Sequence, residues 1–219
     1  MNRKWIVWLL VVVLPLPIWA AKSDQVHRIQ NATDVLEEIL NVPENIPRDL
    51  LTKSECVIIV PSMKKAALGI GGNYGKGLLT CRIGRKFSPP VMVVITGGSW
   101  GLQIGGTATD LILLVMNRKG VDKLLESKFT IGVDGTAAAG PKGRTAAAST
   151  DAQMHAEMLA YARSRGLFAG ISISGSVLKP DAGDNEDLYG RRVNVKKILF
   201  EGGPVPSSSK ALLRMLNQY

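Results

Sequence analysis

The segment Gly97-Gly98-Ser99-Trp100-Gly101 matches the Gly-x-Ser-x-Gly elbow, in which a strand delivers a serine nucleophile at a sharp turn into a helix. An apolar run over 91–96 supplies the strand. His155 is the one histidine downstream, so a hydrolase would use Ser99 as nucleophile and His155 as base. Asp110, Asp122, Asp134 or Asp151 would orient that base. The required helix is missing, because glycines and threonines interrupt residues 102–110, and no alternating strand–helix pattern surrounds the motif. A serine hydrolase is therefore a distant alternative, and the chain reads as non-catalytic.

Other chemistries fare worse. Residues 69–77 resemble a phosphate loop, but Ile70 stands where a glycine belongs and Gly77 replaces the hydroxyl residue that would hold magnesium. Tight hairpin turns explain these glycines better. His27 and His155 are far apart and no Cys-x-x-Cys occurs, so neither metal nor cofactor is expected. The acidic stretch 181–187 lacks the spacing of a calcium loop.

Charge offers more. Lysine and arginine exceed aspartate and glutamate by 27 to 18, a formal charge of +9. Basic residues gather at Lys64-Lys65, at Arg82 with Arg85 and Lys86, at Lys142 with Arg144, at Arg163 with Arg165, and at Arg191-Arg192 with Lys196-Lys197. Several lie at expected turns beside Phe87, Trp100 or Phe168. Cations around an apolar tip suit a lipid headgroup surface, their stems lying along apolar matter while the charges stay in water. Arg82, Lys86, Phe87, Trp100, Lys142, Arg144, Arg163, Arg165 and Phe168 form the candidate lipid-binding set. Solvated turns explain each group separately, so convergence on one face is what would mark a site.

The elements that must position these residues follow from pattern. Arg3 and Lys4, an apolar run over 5–14, Pro15 and Pro17, and then Ala20-Ala21 have the layout of a secretory signal peptide over 1–20, cleaved near Ala20. An uncleaved anchor is the rival, disfavoured by the short run and its two prolines. Loss of the leader lowers the formal charge from +9 to +7. An exported basic protein meets anionic lipid, in the periplasm or outside the cell, rather than nucleic acid. Cys56 and Cys81 either bridge in that oxidising setting or serve as small buried hydrophobes.

From 24 to 40 the residues Val26, Ile29, Leu36, Ile39 and Leu40 recur at helical spacing, so an N-terminal amphipathic helix falls within 21–42. It packs on the domain or lies on a membrane. A short helix starts near Pro47. Strands follow at 57–60, at 66–72 and 76–82 around an Asn73-Tyr74-Gly75 turn, and at 91–96, 101–105 and 111–116, with a short helix over 120–128. Residues 150–163 are a helix capped by Thr150, or a strand containing Leu159 and Tyr161 that turns at Arg165-Gly166. Residues 171–177 alternate as a half-buried strand, and 210–216 form a terminal helix.

Several ordered blocks resemble the SYLF domain, the actin-binding domain of yeast cortical-patch proteins. They are Gly69-Ile70-Gly71-Gly72-Asn73-Tyr74-Gly75-Lys76-Gly77, Ser88-Pro89-Pro90, Gly97-Gly98-Ser99-Trp100-Gly101-Leu102-Gln103-Ile104-Gly105 with Asp110, Ala138-Ala139-Gly140-Pro141-Lys142-Gly143-Arg144, the run 161–172, and Leu188-Tyr189-Gly190. The similarity covers 43–219. Phe87 departs from the family's common tryptophan. The resemblance implies lipid binding, with phospholipid as the ligand in bacterial members, and makes Ser99 a turn residue. The expected fold is α+β: a curved, mostly antiparallel β-sheet, open or partly closed into a barrel, with N-terminal and C-terminal helices packed on it. An envelope protein-interaction module is the alternative function.

Overall fold

The computed structural model describes residues 19–42, 46–124, 129–140, 155–164, 167–170 and 175–219. Nearly all of the expected leader, the segments 150–154 and 171–174, and Lys142, Arg144 and Arg165 lie outside the described residues. In chain order the helices are α1 (Trp19–Asn41), α2 (Arg48–Lys53), α3 (Arg118–Leu124), α4 (Ala182–Tyr189), α5 (Val195–Phe200) and α6 (Lys210–Leu216). A 3-10 turn over Ser207–Ser209 leads into α6. The strands are β1 (Cys56–Ile83), β2 (Lys86–Phe87), β3 (Val91–Val115), β4 (Phe129–Thr130), β5 (Ala137–Ala139), β6 (Met158–Ser164), β7 (Leu167–Gly170) and β8 (Val177–Pro180).

Two long strands dominate. β1 and β3 pair antiparallel from Cys56↔Val115 at one end to Leu79↔Val91 at the other. A straight strand rises about 3.3 Å per residue, so the 25 residues from Cys56 to Cys81 would span roughly 80 Å. Instead their Cα atoms lie 4.0 Å apart and a disulfide joins them. The Arg82 amide also donates to the Glu55 carbonyl at 2.7 Å, beside that bond. The ribbon therefore coils once around and closes on its own start. Register shifts at Val60/Met63 and Leu68/Gly69 mark where it bends. At the first of these Ser62 holds a φ of 51°, the non-glycine exception among the described residues.

Glycine makes the coil tight enough. A Cβ on Gly77 would lie 2.2 Å from the Ile59 carbonyl oxygen and 2.8 Å from the Val60 Cα. One on Gly75 would meet the Val60 side chain at 2.5 Å. These positions are glycine because two arms of one strand cross there.

Alternation along the strands makes two cores. Cys56, Ile58, Val60, Leu79, Cys81, Val91, Leu111 and Leu113 turn inward, where α3 and α5 complete the packing through Val121, Leu124, Ile198 and Leu199. Val57, Ile59, Leu78, Ile112, Leu114 and Tyr161 turn outward, under Ile29, Leu36 and Ile39 of α1 and Leu212, Leu213 and Leu216 of α6. Burial on both faces explains the unbroken apolar run Val57-Ile58-Ile59-Val60. The other strands extend this sheet: β6 and β8 pair with different arms of β3, and β5 joins β6 in parallel. The fold is α+β, a strongly curled mixed sheet forming a half-barrel, with N- and C-terminal helices packed outside.

Several expected elements change. Asn73-Tyr74-Gly75 is no hairpin turn, since Tyr74 pairs with Thr96 inside continuous β1. The strands expected at 91–96, 101–105 and 111–116 are one strand, β3. Of the two readings of 150–163 the strand is found from Met158 onward, with β6 and β7 paired on either side of residues 165–166, while 150–154 lie outside the described residues. The acidic stretch 181–187 lies largely in helix α4, whose N-cap Asp181 accepts from the Asp184 amide at 3.1 Å. Helix α5, capped by Asn194, had no counterpart in the sequence reading.

Candidate binding surface

Ser99 lies within β3, opposite Gly71 of β1. The residues before and after it are also strand paired with β1, so the strand-to-helix turn of a nucleophile elbow does not exist there. Among the described residues no group of acids, histidines or cysteines is arranged to hold a metal.

The coil separates the expected lipid-binding residues. Arg82 and Phe87 are register partners at the closure, with the guanidinium carbon 4.4 Å from the ring centroid. Lys86 is exposed beside them. Trp100 pairs with Ile70, near the midpoint of the coiled ribbon and so on its far side. Arg163 pairs with Phe168 across the β6–β7 hairpin, between those two places. The described members of the set are therefore spread along the coil, while Lys142, Arg144 and Arg165 lie outside the described residues.

Two of these arginines are bound within the fold. Arg82 donates to the carbonyls of Ser54 (3.2 Å) and Leu51 (3.1 Å), tying α2 to the closure. Burial lowers its pKa, partly offset by the charge of Glu55. Arg163 grips Asp110 through Nη2 (2.7 Å) and Nε (3.1 Å), and also pairs with Glu38 of α1. Asp110 in turn accepts from the Ser62 amide at 2.8 Å, holding the strained bulge. This charge is spent on joining α1, β1, β3 and β6.

A second ion network latches the other end of α1. Lys76 Nζ lies 2.9 Å from Asp181 and 3.0 Å from Asp184. Arg28 pairs with Asp184, and Gln25 donates to it at 3.2 Å. Burial opposes the Lys76 charge, but hydrogen bonds and attraction from both carboxylates outweigh it and raise its pKa. Burial likewise opposes the Asp181 charge, yet Lys76, the Asp184 amide and Arg28 hold its pKa below the ordinary value.

The remaining cations at the closure are different. Phe87 is fixed by its amide, which donates to Asn217 Oδ1 at the end of α6 (2.7 Å). The Arg48 guanidinium lies 5.9 Å from the Tyr219 ring centroid, which brings α2 to the same place. Around this junction Arg48 and Lys53 from α2, Arg85 from the β1–β2 turn, Lys86 from β2, and Lys210 and Arg214 from α6 are all exposed. Among the described residues none of the six has an ion-pair partner. Between Lys210 and Arg214 opens a groove of about 480 Å³ lined also by Val205, Leu213 and Asn217. Sequence reasoning missed Lys210 and Arg214, although their four-residue spacing on an expected helix already placed them on one face.

The structure is thus a coiled, glycine-crossed β-ribbon flanked by helices and carrying a cationic rim at its closure. Residues 96–219 match the family Ysc84, described as Las17-binding protein actin regulator. The chain is 32% identical over 184 residues to the SH3 domain-containing protein PJ696.02 of Schizosaccharomyces pombe, covering 82% of this chain and 43% of that one. It is 30% identical over 182 residues to the SH3 domain-containing YSC84-like protein 1 of Rattus norvegicus, covering 82% and 53%. With Protein YSC84 of Saccharomyces cerevisiae it shares 28% identity over 183 residues, covering 82% and 39%. The chain belongs to the Ysc84 (SYLF) family and spans about half the length of these relatives.

Proposed function

We propose that this protein is an exported, non-catalytic module that binds acidic phospholipid headgroups. The observation that carries the proposal is the cluster of exposed cations at the ribbon closure, centred on Arg85, Lys86, Lys210 and Arg214, which have no ion-pair partner among the described residues. Each cation near an anionic surface contributes about 1 kcal/mol, so four acting together suffice for reversible membrane attachment. The buried Cys56–Cys81 disulfide supports maturation in an oxidising compartment, the periplasm or the cell exterior. Arg82 and Phe87 serve this surface by holding its frame.

Flotation of the mature protein with vesicles of graded phosphatidylglycerol content tests the proposal. Binding should rise steeply with anionic fraction and vanish on pure phosphatidylcholine. Equal recovery with both would refute it. A fluorophosphonate probe should leave Ser99 unlabelled.

A second reading, an envelope protein-interaction module, draws on the family description as binding Las17, a protein partner. The same cations would then face an acidic protein segment, and vesicles would not compete for it.

A further inference from the structure

We infer that the groove along α6 is a discrete seat for the phosphoryl headgroup of a membrane lipid, with Val205 entering the apolar layer beside it. The inference rests on the lipid-binding reading above and assigns that binding to one place. Lys210 and Arg214 stand one turn apart on α6 and flank Leu213, which is 7% exposed and forms an apolar floor. Like charges four residues apart repel and weaken a helix, and a shared anion removes that penalty. Asn217 lines the groove as well, with its side-chain oxygen accepting from the Phe87 amide.

The other wall is apolar and stiff. Val205 lies between Pro204 and Pro206 and is 48% exposed. Each proline fixes its own φ and restricts the residue before it, so the valine is presented with little freedom to lose on insertion. An apolar tip beside two long cationic side chains matches the interface between acyl chains and headgroups, where the stems lie along hydrocarbon and the charges reach phosphate. A soluble anion would use the cations alone and leave Val205 without a role.

The test is co-sedimentation of the mature protein with phosphatidylcholine vesicles containing phosphatidylglycerol. Lys210→Gln with Arg214→Gln should weaken binding about tenfold or more, since two contacts are lost. Lys196→Gln with Lys197→Gln removes the same charge from α5 and should cost less than about threefold. Val205→Ser should weaken binding at unchanged net charge, and millimolar glycerol phosphate should not displace the protein. Exchange of the pair, Lys210→Arg with Arg214→Lys, should retain binding and shows that the fold is intact. Equal losses from the α5 and α6 pairs, or no effect of Val205→Ser, would overturn the groove assignment while leaving lipid binding in place. Failure of the wild type to sediment would overturn both.

Discussion

The Ile59 carbonyl oxygen stands 2.2 Å from where a Cβ on Gly77 would be, because two arms of the same strand cross at that point. The neighbour is backbone on both sides, so neither can turn away. Gly77→Ala should destabilise the protein by about 3 kcal/mol, the upper range for overpacking. Gly98, exposed in β3 with nothing within 4 Å of an added Cβ, provides the contrast. Gly98→Ala should change stability by less than about 0.5 kcal/mol. Paired denaturation curves check both, and similar midpoints would contradict the crossing.

The Cys56–Cys81 bond closes a loop of 25 residues. In the chain-entropy view a loop of that length contributes about 3.5 kcal/mol by restricting the unfolded chain. Replacing both cysteines by serine should lower the melting temperature by about 10 °C for a chain of this size. Calorimetry of the oxidised protein and the double variant measures it. The bond is buried, with Cys56 and Cys81 0% and 1% exposed, so mild reductant should act only when the fold opens.

The Lys76 latch predicts a stability profile with two edges. Asp181 titrates below its ordinary 3.8 in the fold, so its contribution is whole above 3.8 and is lost as pH falls through the lower folded value. Lys76 titrates above 10.5, so its contribution is whole below 10.5 and is lost as pH rises through the higher folded value. Lys76→Met should therefore lower stability most between those edges and converge on the wild type outside them. Melting curves across pH, subtracted pairwise, read this directly.

Burial also raises the pKa of Tyr161 and Tyr189 well above the ordinary 10.0. Both stay protonated in the fold while the unfolded chain ionises there, so stability should fall as pH rises past 10.0. Spectrophotometric titration should show these two phenols ionising only with unfolding.

Much of the fold was legible in the sequence, and the errors share one cause. Helices α1 and α6 followed from apolar spacing, and the family resemblance carried the α+β class. Asn73-Tyr74-Gly75 was misread because a glycine that admits a crossing strand looks the same, in one dimension, as a glycine that makes a turn. Only the contact of Gly77 with Ile59 separates the two, and that contact spans 18 residues of the same strand. Arg163 was equally ambiguous, since its partners Asp110 and Glu38 lie on other elements. The groove on α6 was readable in part, from Lys210, Leu213 and Arg214 on an expected helix. Its second wall, around Val205, depends on where the chain folds back.

Charge reversal at the closure tests the central claim most directly. Arg85→Glu with Lys86→Glu changes two exposed residues of the β1–β2 hairpin that have no ion-pair partner among the described residues and leaves the Arg82–Phe87 contact in place. Flotation with anionic vesicles should fall at least tenfold at low salt, and the difference from wild type should shrink as salt rises and the screening length shortens from about 30 Å to about 8 Å. Binding of the double variant equal to wild type at every salt concentration would contradict a cationic lipid-binding surface at the ribbon closure.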